Sequence, residues 1–203
     1  MTVKEKTRGR PRGATSQLSA QAIMKMSKSL MREEGKIPSI RKLARCLNVD
    51  AMAIYYYFSN KNALLEAITT SLIQEVYQPE AGDLKAREHW KNELSQLCTS
   101  YLSLLSHYPG LLETFLSMDT ISPAEVFVTR FNIVIEPLNL DSESAKNGLD
   151  LLVDYLHGYA LALSCNGKDC NGKNSQSTLN MEMIKGPLAL YCVALENIMS
   201  TSR

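Results

Sequence analysis

An all-helical fold in two parts is predicted by three features of this sequence. Apolar residues recur three and four apart along most of its length, strand-like alternation is missing, and charge is split between a basic front and an acidic rear. Residues 1–62 hold 13 Lys+Arg against 4 Asp+Glu, or +9, and residues 63–203 hold 9 against 17, or −8, so the formal sum of +1 conceals the division. Only the front is suited to meet a polyanion. With 203 residues, 45% of them hydrophobic, the chain can bury a real core.

The elements follow in order. From Ser19 to Glu34, Ala22, Ile23, Met26, Leu30 and Met31 fall on one helical face, with Ser19 as N-cap and Gly35 as the stop. Ser39 then precedes IRKLARCL, a short helix whose stripe is Ile40, Leu43, Ala44 and Leu47. Asn48-Val49-Asp50 forms a tight turn: Asn tolerates the left-handed conformation and Asp50 caps the next helix, AMAIYYYF. After Ser59-Asn60, the residues Ala63, Leu64, Ile68, Leu72 and Val76 mark a fourth helix that ends before Pro79. Two short helices joined by a three-residue turn and buttressed by a third match the helix-turn-helix unit.

The rear reads as a helical bundle. Trp90 to Leu105 forms one helix, and His107-Tyr108-Pro109-Gly110 breaks it before a short helix from Leu111 to Met118. Ser122-Pro123-Ala124-Glu125 supplies a capping box for a helix to about Pro137. Asp141 or Ser142 opens the next, through Ser164, and a last helix runs from about Pro187 to Ser200.

The run from Leu18 to Ile68 resembles the DNA-binding domain of the tetracycline-repressor (TetR) family. The resemblance rests on the spacing from the first helix to Gly35, the RKLA of the second, the Ile-Tyr-x-x-Phe ending of the third and the Asn-Lys-x-x-Leu-Leu opening of the fourth. It implies an N-terminal three-helix DNA-binding domain followed by a helical ligand-binding and dimerisation domain. The boundaries expected are a basic arm over 1–17, the helix-turn-helix domain over 18–62 with a linker helix to about 78, and the second domain over 80–203.

Helical geometry turns Ile54 and Phe58 inward and Ala51, Met52, Tyr55 and Tyr56 outward, while Tyr57 is expected to pack. An outward tyrosine offers an apolar body to sugar or thymine methyl and a hydroxyl to phosphate. The resemblance adds Lys61 as a phosphate contact and Arg41 as a guanine reader. The DNA-binding set expected is thus Ser39, Arg41, Ala51, Met52, Ala53, Tyr55, Tyr56 and Lys61, with the arm's Arg8, Arg10 and Arg12. Ala51, Met52 and Ala53 can offer only apolar contact, so specificity leans on Arg41, Tyr56 and the arm. The arm's RGRPRG resembles the AT-hook core and is expected to enter a narrow minor groove; the alternative is a solvated basic tether.

The resemblance implies a small-molecule effector in the rear domain and a homodimer through its last two long helices. A small hydrophobic effector would be lined by Tyr101, His107, Tyr108, Leu112, Phe115, Met118, Phe127, Phe131 and Tyr155. The dimer stripe expected is Leu149, Leu152, Val153, Leu156, Tyr159, Leu188, Tyr191, Leu195 and Met199, with an ordinary intramolecular core as the alternative. Aligned on SHYPG, the histidine that chelates drug-bound magnesium in tetracycline repressors falls at Thr114, which argues against tetracycline.

Other classes find no support. No apolar run reaches the roughly 18 to 20 residues of a membrane helix, Leu149 to Cys165 being interrupted by Asp150, Asp154 and His157. The basic N-terminus lacks the apolar stretch of a secretory signal, so Cys46, Cys98, Cys165, Cys170 and Cys192 are expected in a reducing cytoplasm. CNGKDCNGK reads as a loop rather than a metal or redox site. No catalytic, metal or cofactor motif occurs, and His89, His107 and His157 form no set. The chain is expected to be a transcriptional repressor released from a palindromic double-stranded operator by its effector. The competing expectation is a DNA-bound protein-interaction factor without an inducer, which a filled core and an exposed apolar patch would favour.

Overall fold

Side chains from the sequence's own turns close the first four helices, and they set the geometry of the front. The computed structural model describes residues 18–80, 86–118, 122–166 and 182–201. Helix α1 (Ala20–Glu34) starts where Ser19 Oγ accepts the Ala22 N–H at 3.1 Å, and it ends at Gly35, left-handed at φ +65°. Ser39 caps α2 (Ile40–Leu47) in the same way, and Asn48 ends it at φ +54°. The Asp50 carboxylate accepts the Met52 N–H at 2.7 Å to start α3 (Ala51–Tyr55). Asn60 Oδ1 accepts from Ala63 N at 2.8 Å to start α4 (Lys61–Ile73). Each cap satisfies an N–H that the first turn of a helix leaves without a partner.

The rear comprises α5 (Ala86–His107), α6 (Leu111–Ser117), α7 (Ser122–Ile135), a 3₁₀ turn (Glu136–Leu138), α8 (Ser142–Asn166) and α9 (Glu182–Thr201). Among the described residues every regular element is helical. The core is continuous: Ile23, Leu43 and Ile54 in front connect through Ile68 and Leu72 of α4 to Leu94, Phe131 and Leu156 behind. Asp141 caps α8, its carboxylate accepting from the Ser144 N–H at 2.8 Å.

Three expectations are corrected. Helix α3 stops at Tyr55 instead of running to Phe58; Tyr56 to Phe58 form a turn that still brings Phe58 into the core. Helix α9 begins at Glu182, so Pro187 lies inside it rather than at its start. Pro187 faces solvent and lacks only the N–H that would have reached Met183, an omission a helix tolerates near its first turns. Ser122 is already helical in α7, and the residues before it lie outside those described, as do the arm and the Cys170 loop.

Three contacts between front and rear stand out among the described residues. The α1–α2 turn lies on the α5–α6 turn, where a Cβ at Gly110 would stand 2.6 Å from the Gly35 carbonyl oxygen. Beside it, the Arg32 guanidinium donates to Tyr108 Oη at 2.7 Å and lies 5.0 Å from the ring centroid. Arg130 of α7 reaches the end of α4, donating from Nη1 to the carbonyls of Ile73 (2.9 Å) and Val76 (2.7 Å) and from Nη2 to that of Gln74 (3.0 Å). Gly110→Ala is therefore expected to cost about 2 kcal/mol or more, since a left-handed φ of +81° and the contact with Gly35 both oppose a side chain. Urea denaturation at fixed protein concentration measures it.

Candidate nucleic-acid interface

The outer face of the helix-turn-helix is apolar at its centre and cationic at its edges. Ile54 is fully buried and Phe58 nearly so, which fixes the rotation of α3 and turns Met52 (71% exposed) and Tyr56 (85%) outward. Tyr55 is 40% exposed. Tyr57 plays a different part: its Oη donates to the Leu18 carbonyl at 2.6 Å, and its ring meets that of Tyr56 edge-on at 5.3 Å. Tyr57 thereby ties the segment before α1 to the end of α3 and props Tyr56 outward.

Arg41 and Lys61 are both exposed, as the sequence predicts, and so is Arg45, which the sequence reading did not select. No ion pair holds any of the three among the described residues, whereas Lys42 pairs with Glu34 and Lys28 with Glu75 at 2.6 Å. Ser39 is exposed with its hydroxyl committed to capping α2. Ala51 and Ala53 are half-buried, and Ala51 packs on the core, so the apolar contact surface of α3 is narrower than expected and consists mainly of Met52. Arg8, Arg10 and Arg12 lie outside the described residues.

The expected effector residues divide into groups. Tyr101, Phe127 and Phe131 are buried together, with the Tyr101 and Phe127 rings 4.9 Å apart, and Leu112 is also buried. Phe115, Met118 and Tyr155 are half-buried. Two expectations are corrected. His107 is exposed, its Nδ1 2.7 Å from the Ser103 carbonyl of its own helix, and Tyr108, though buried, turns to Arg32 at the front–rear junction. The histidine facing the core is His157, whose Nε2 lies 2.8 Å from Tyr101 Oη. Burial lowers the His157 pKa, with nearby Asp154 opposing more weakly. Thr114 is buried, its hydroxyl donating to the Gly110 carbonyl at 2.7 Å. Two open clefts, of about 570 and 430 Å³, lie along α1 and α4, lined in part by Met24 and Ser71; the second also touches Tyr108, and neither is lined by Tyr101, Phe127 or Phe131.

Much of the expected dimer stripe packs within the single chain. Leu152, Leu156, Leu188 and Leu195 are at most 5% exposed within a single chain, and Leu149, Val153, Tyr159 and Tyr191 pack against the same core. Tyr191 Oη donates to the Gly148 carbonyl at 2.8 Å, tying α9 to α8. The side chain of Met199 lies outside those described. These residues serve the intramolecular core because they form the more apolar face of each helix. A second apolar set remains exposed: Leu151 and Leu161 on α8, and Met183, Leu190 and Val193 on α9.

The fold and this face define a helix-turn-helix protein whose outer surface is apolar at the centre and cationic at the edges. The family model of bacterial regulatory proteins of the tetR family matches residues 28–68, which span α2, α3 and parts of α1 and α4. None of the curated proteins matches the sequence. Among solved structures, BioQ of Mycobacterium smegmatis is similar with a TM-score of 0.71 at 16% identity, over 90% of this chain and 99% of that one. BioQ with its natural double-stranded DNA operator gives 0.65 at 18%, over 89% and 99%. ActR of Streptomyces coelicolor in complex with actinorhodin gives 0.68 at 18%, over 89% and 96%. Residues 28–68 are thus similar to the DNA-binding part of tetR-family regulators, and the chain as a whole shares the fold of these solved structures. No described helix is long and apolar enough to cross a membrane.

The lowered pKa of His157 has a consequence for stability. The unfolded chain takes up a proton near the ordinary histidine pKa of about 6.5, while the folded chain resists it to lower pH, so stability falls as pH drops through that window. His157→Gln keeps a partner for Tyr101 without titrating, so the stability of wild type relative to this variant is expected to decline as pH falls below about 6.5. Denaturation curves of both chains across that range measure the difference.

Proposed function

We propose that this protein is a homodimeric repressor that is released from a palindromic operator by a small apolar effector. The observation that carries the proposal is the outward set Met52, Tyr55 and Tyr56, held on α3 by the buried Ile54 and Phe58 and flanked by Arg41, Arg45 and Lys61. Met52 offers contact to thymine methyls, the tyrosines to sugar and phosphate, and the cations to the backbone or a guanine edge. BioQ, a similar fold, is solved with its double-stranded DNA operator, which supports a DNA-binding reading of this chain. The arm's Arg8, Arg10 and Arg12 would add minor-groove contacts beside it.

One helix-turn-helix reads one half-site, so a palindrome requires two copies. The surface assigned to that contact is the exposed face of Leu151, Leu161, Leu190 and Val193. The effector site is the buried group around Tyr101, Phe127, Phe131 and the Tyr101–His157 pair, which gives an apolar ligand one polar partner. These side chains pack against one another, so a ligand must displace them, and that displacement favours a second arrangement of the dimer. ActR, again a similar fold, is solved in complex with actinorhodin, which supports a small-molecule effector for this chain.

Two experiments test this reading. Selection from a randomised duplex library by the full chain should recover a palindrome, and deletion of residues 1–14 should remove only a flanking AT preference. Tyr56→Ala should weaken binding to the selected duplex about tenfold, or about 1.4 kcal/mol, with little change in folding because the ring is exposed. Recovery of no palindrome would sink the proposal. Separately, Leu190→Asp should yield a folded monomer by sedimentation velocity, whereas Leu195→Asp, at a buried position, should unfold the chain. A dimeric Leu190→Asp chain would move the interface elsewhere.

A further inference from the structure

Arg130 is 7% exposed, and no ion pair holds it among the described residues. Its partners are the three carbonyls at the end of α4, those of Ile73, Gln74 and Val76. Glu75, the nearest acid in sequence to that end, pairs instead with Lys28. A guanidinium suits this position because its planar fork can reach several acceptors at once, and because a helix C-terminus carries partial negative charge. Burial lowers the Arg130 pKa from its ordinary value, yet an arginine remains protonated at neutral pH.

The placement of Arg130 links two functions. On α7 it stands between Phe127 and Phe131, both buried in the group assigned above to the effector, with Phe127 packed on Tyr101. At its other end it grips α4, whose first residue, Lys61, lies on the DNA-facing side. The 13 residues of α4 span about 20 Å, so a small rotation at the gripped end becomes a larger displacement at Lys61 and α3.

We propose that Arg130 is the positioning residue through which the rear core sets the placement of the helix-turn-helix: a ligand that moves Phe127 and Phe131 moves the guanidinium, and α4 follows. This rests on the regulator reading above. It assigns the coupling to one cation holding three main-chain acceptors, a contact that has two discrete states, made or broken.

The test uses the full-length chain, spin-labelled at its native Cys46, which is exposed at the end of α2, with Cys165 and Cys170 replaced by serine. Cys98 and Cys192 are buried, with thiol pKa values pushed up by burial to about 12 and about 11, so they stay unlabelled at neutral pH. Electron–electron dipolar spectroscopy then reads the separation of the two helix-turn-helix units. The wild type should give one narrow distance distribution. Arg130→Met should broaden it and weaken binding to the selected duplex at least tenfold, while Arg130→Lys, with a single cationic head, should fall between. Leu138→Ala, a buried core variant outside both the grip and the effector group, should lower thermal stability and leave the distribution narrow.

A folded Arg130→Met chain with unchanged distribution and DNA affinity overturns the proposal. If that variant fails to fold, an unchanged Arg130→Lys chain overturns it equally. Broadening in Leu138→Ala equal to that in the Arg130 variants would overturn it as well, by reducing the effect to lost stability. A wild-type chain giving no dipolar signal would instead overturn the dimer reading, and this proposal with it.

Discussion

The end of α4 leaves main-chain carbonyls that the helix cannot satisfy, and the junction of the two halves is built on how they are met. Arg130 supplies the donors from α7, so the helix-turn-helix part is held by a side chain rooted in the rear core. Around that grip the remaining contacts are close and directional. Glycines at 35 and 110 let two turns approach nearer than side chains would allow, and Arg32 holds Tyr108 from the other side. Tyr77 adds a tie just past α4, its N–H donating to Ser100 Oγ and its hydroxyl to Glu93, each at 2.8 Å. An interface of hydrogen bonds and close turns keeps an orientation more sharply than apolar contact alone, which is what the proposed spacing of two α3 helices on DNA would require.

Division of labour among neighbouring tyrosines follows from the same economy. Ile54 and Phe58 set the rotation of α3, after which Tyr56 can only face solvent. Tyr57 has a main-chain acceptor within reach at Leu18 and takes it. The segment that leads from the basic arm into α1 is thereby fastened at the foot of the recognition helix, beside the surface proposed to enter the groove.

Much of the front could be read from sequence because its determinants are local. Ser19, Ser39, Asp50 and Asn60 each cap a helix within three residues of themselves, and Gly35 and Asn48 end helices through their own backbone tolerance. The rear was less legible because its helices carry two apolar faces. On α8 and α9, periodicity identified the stronger stripe, that of Leu152, Leu156, Leu188 and Leu195, and the fold assigns it to the core. The weaker stripe of Leu151 and Leu190 was left exposed, and spacing alone does not say which of the two stripes meets the core of its own chain. His157 and His107 pose the same difficulty: both sit in helices, and only the packing of α5 against α8 brings one of them to Tyr101. Arg130 did leave a trace, a lone cation in FVTRFNIVI, but its partners are more than fifty residues away and all of them main chain.

The central claim is that α3, rotated by Ile54 and Phe58, presents Met52, Tyr55 and Tyr56 to DNA in pairs. A structure of the protein on its selected duplex tests it most directly. The account predicts a dimer with each α3 in a major groove, the two separated by about one helical turn of roughly 34 Å, and both Tyr56 rings against sugar, phosphate or base. A complex in which α3 faces away from the duplex, with DNA held by the arm alone, would contradict it.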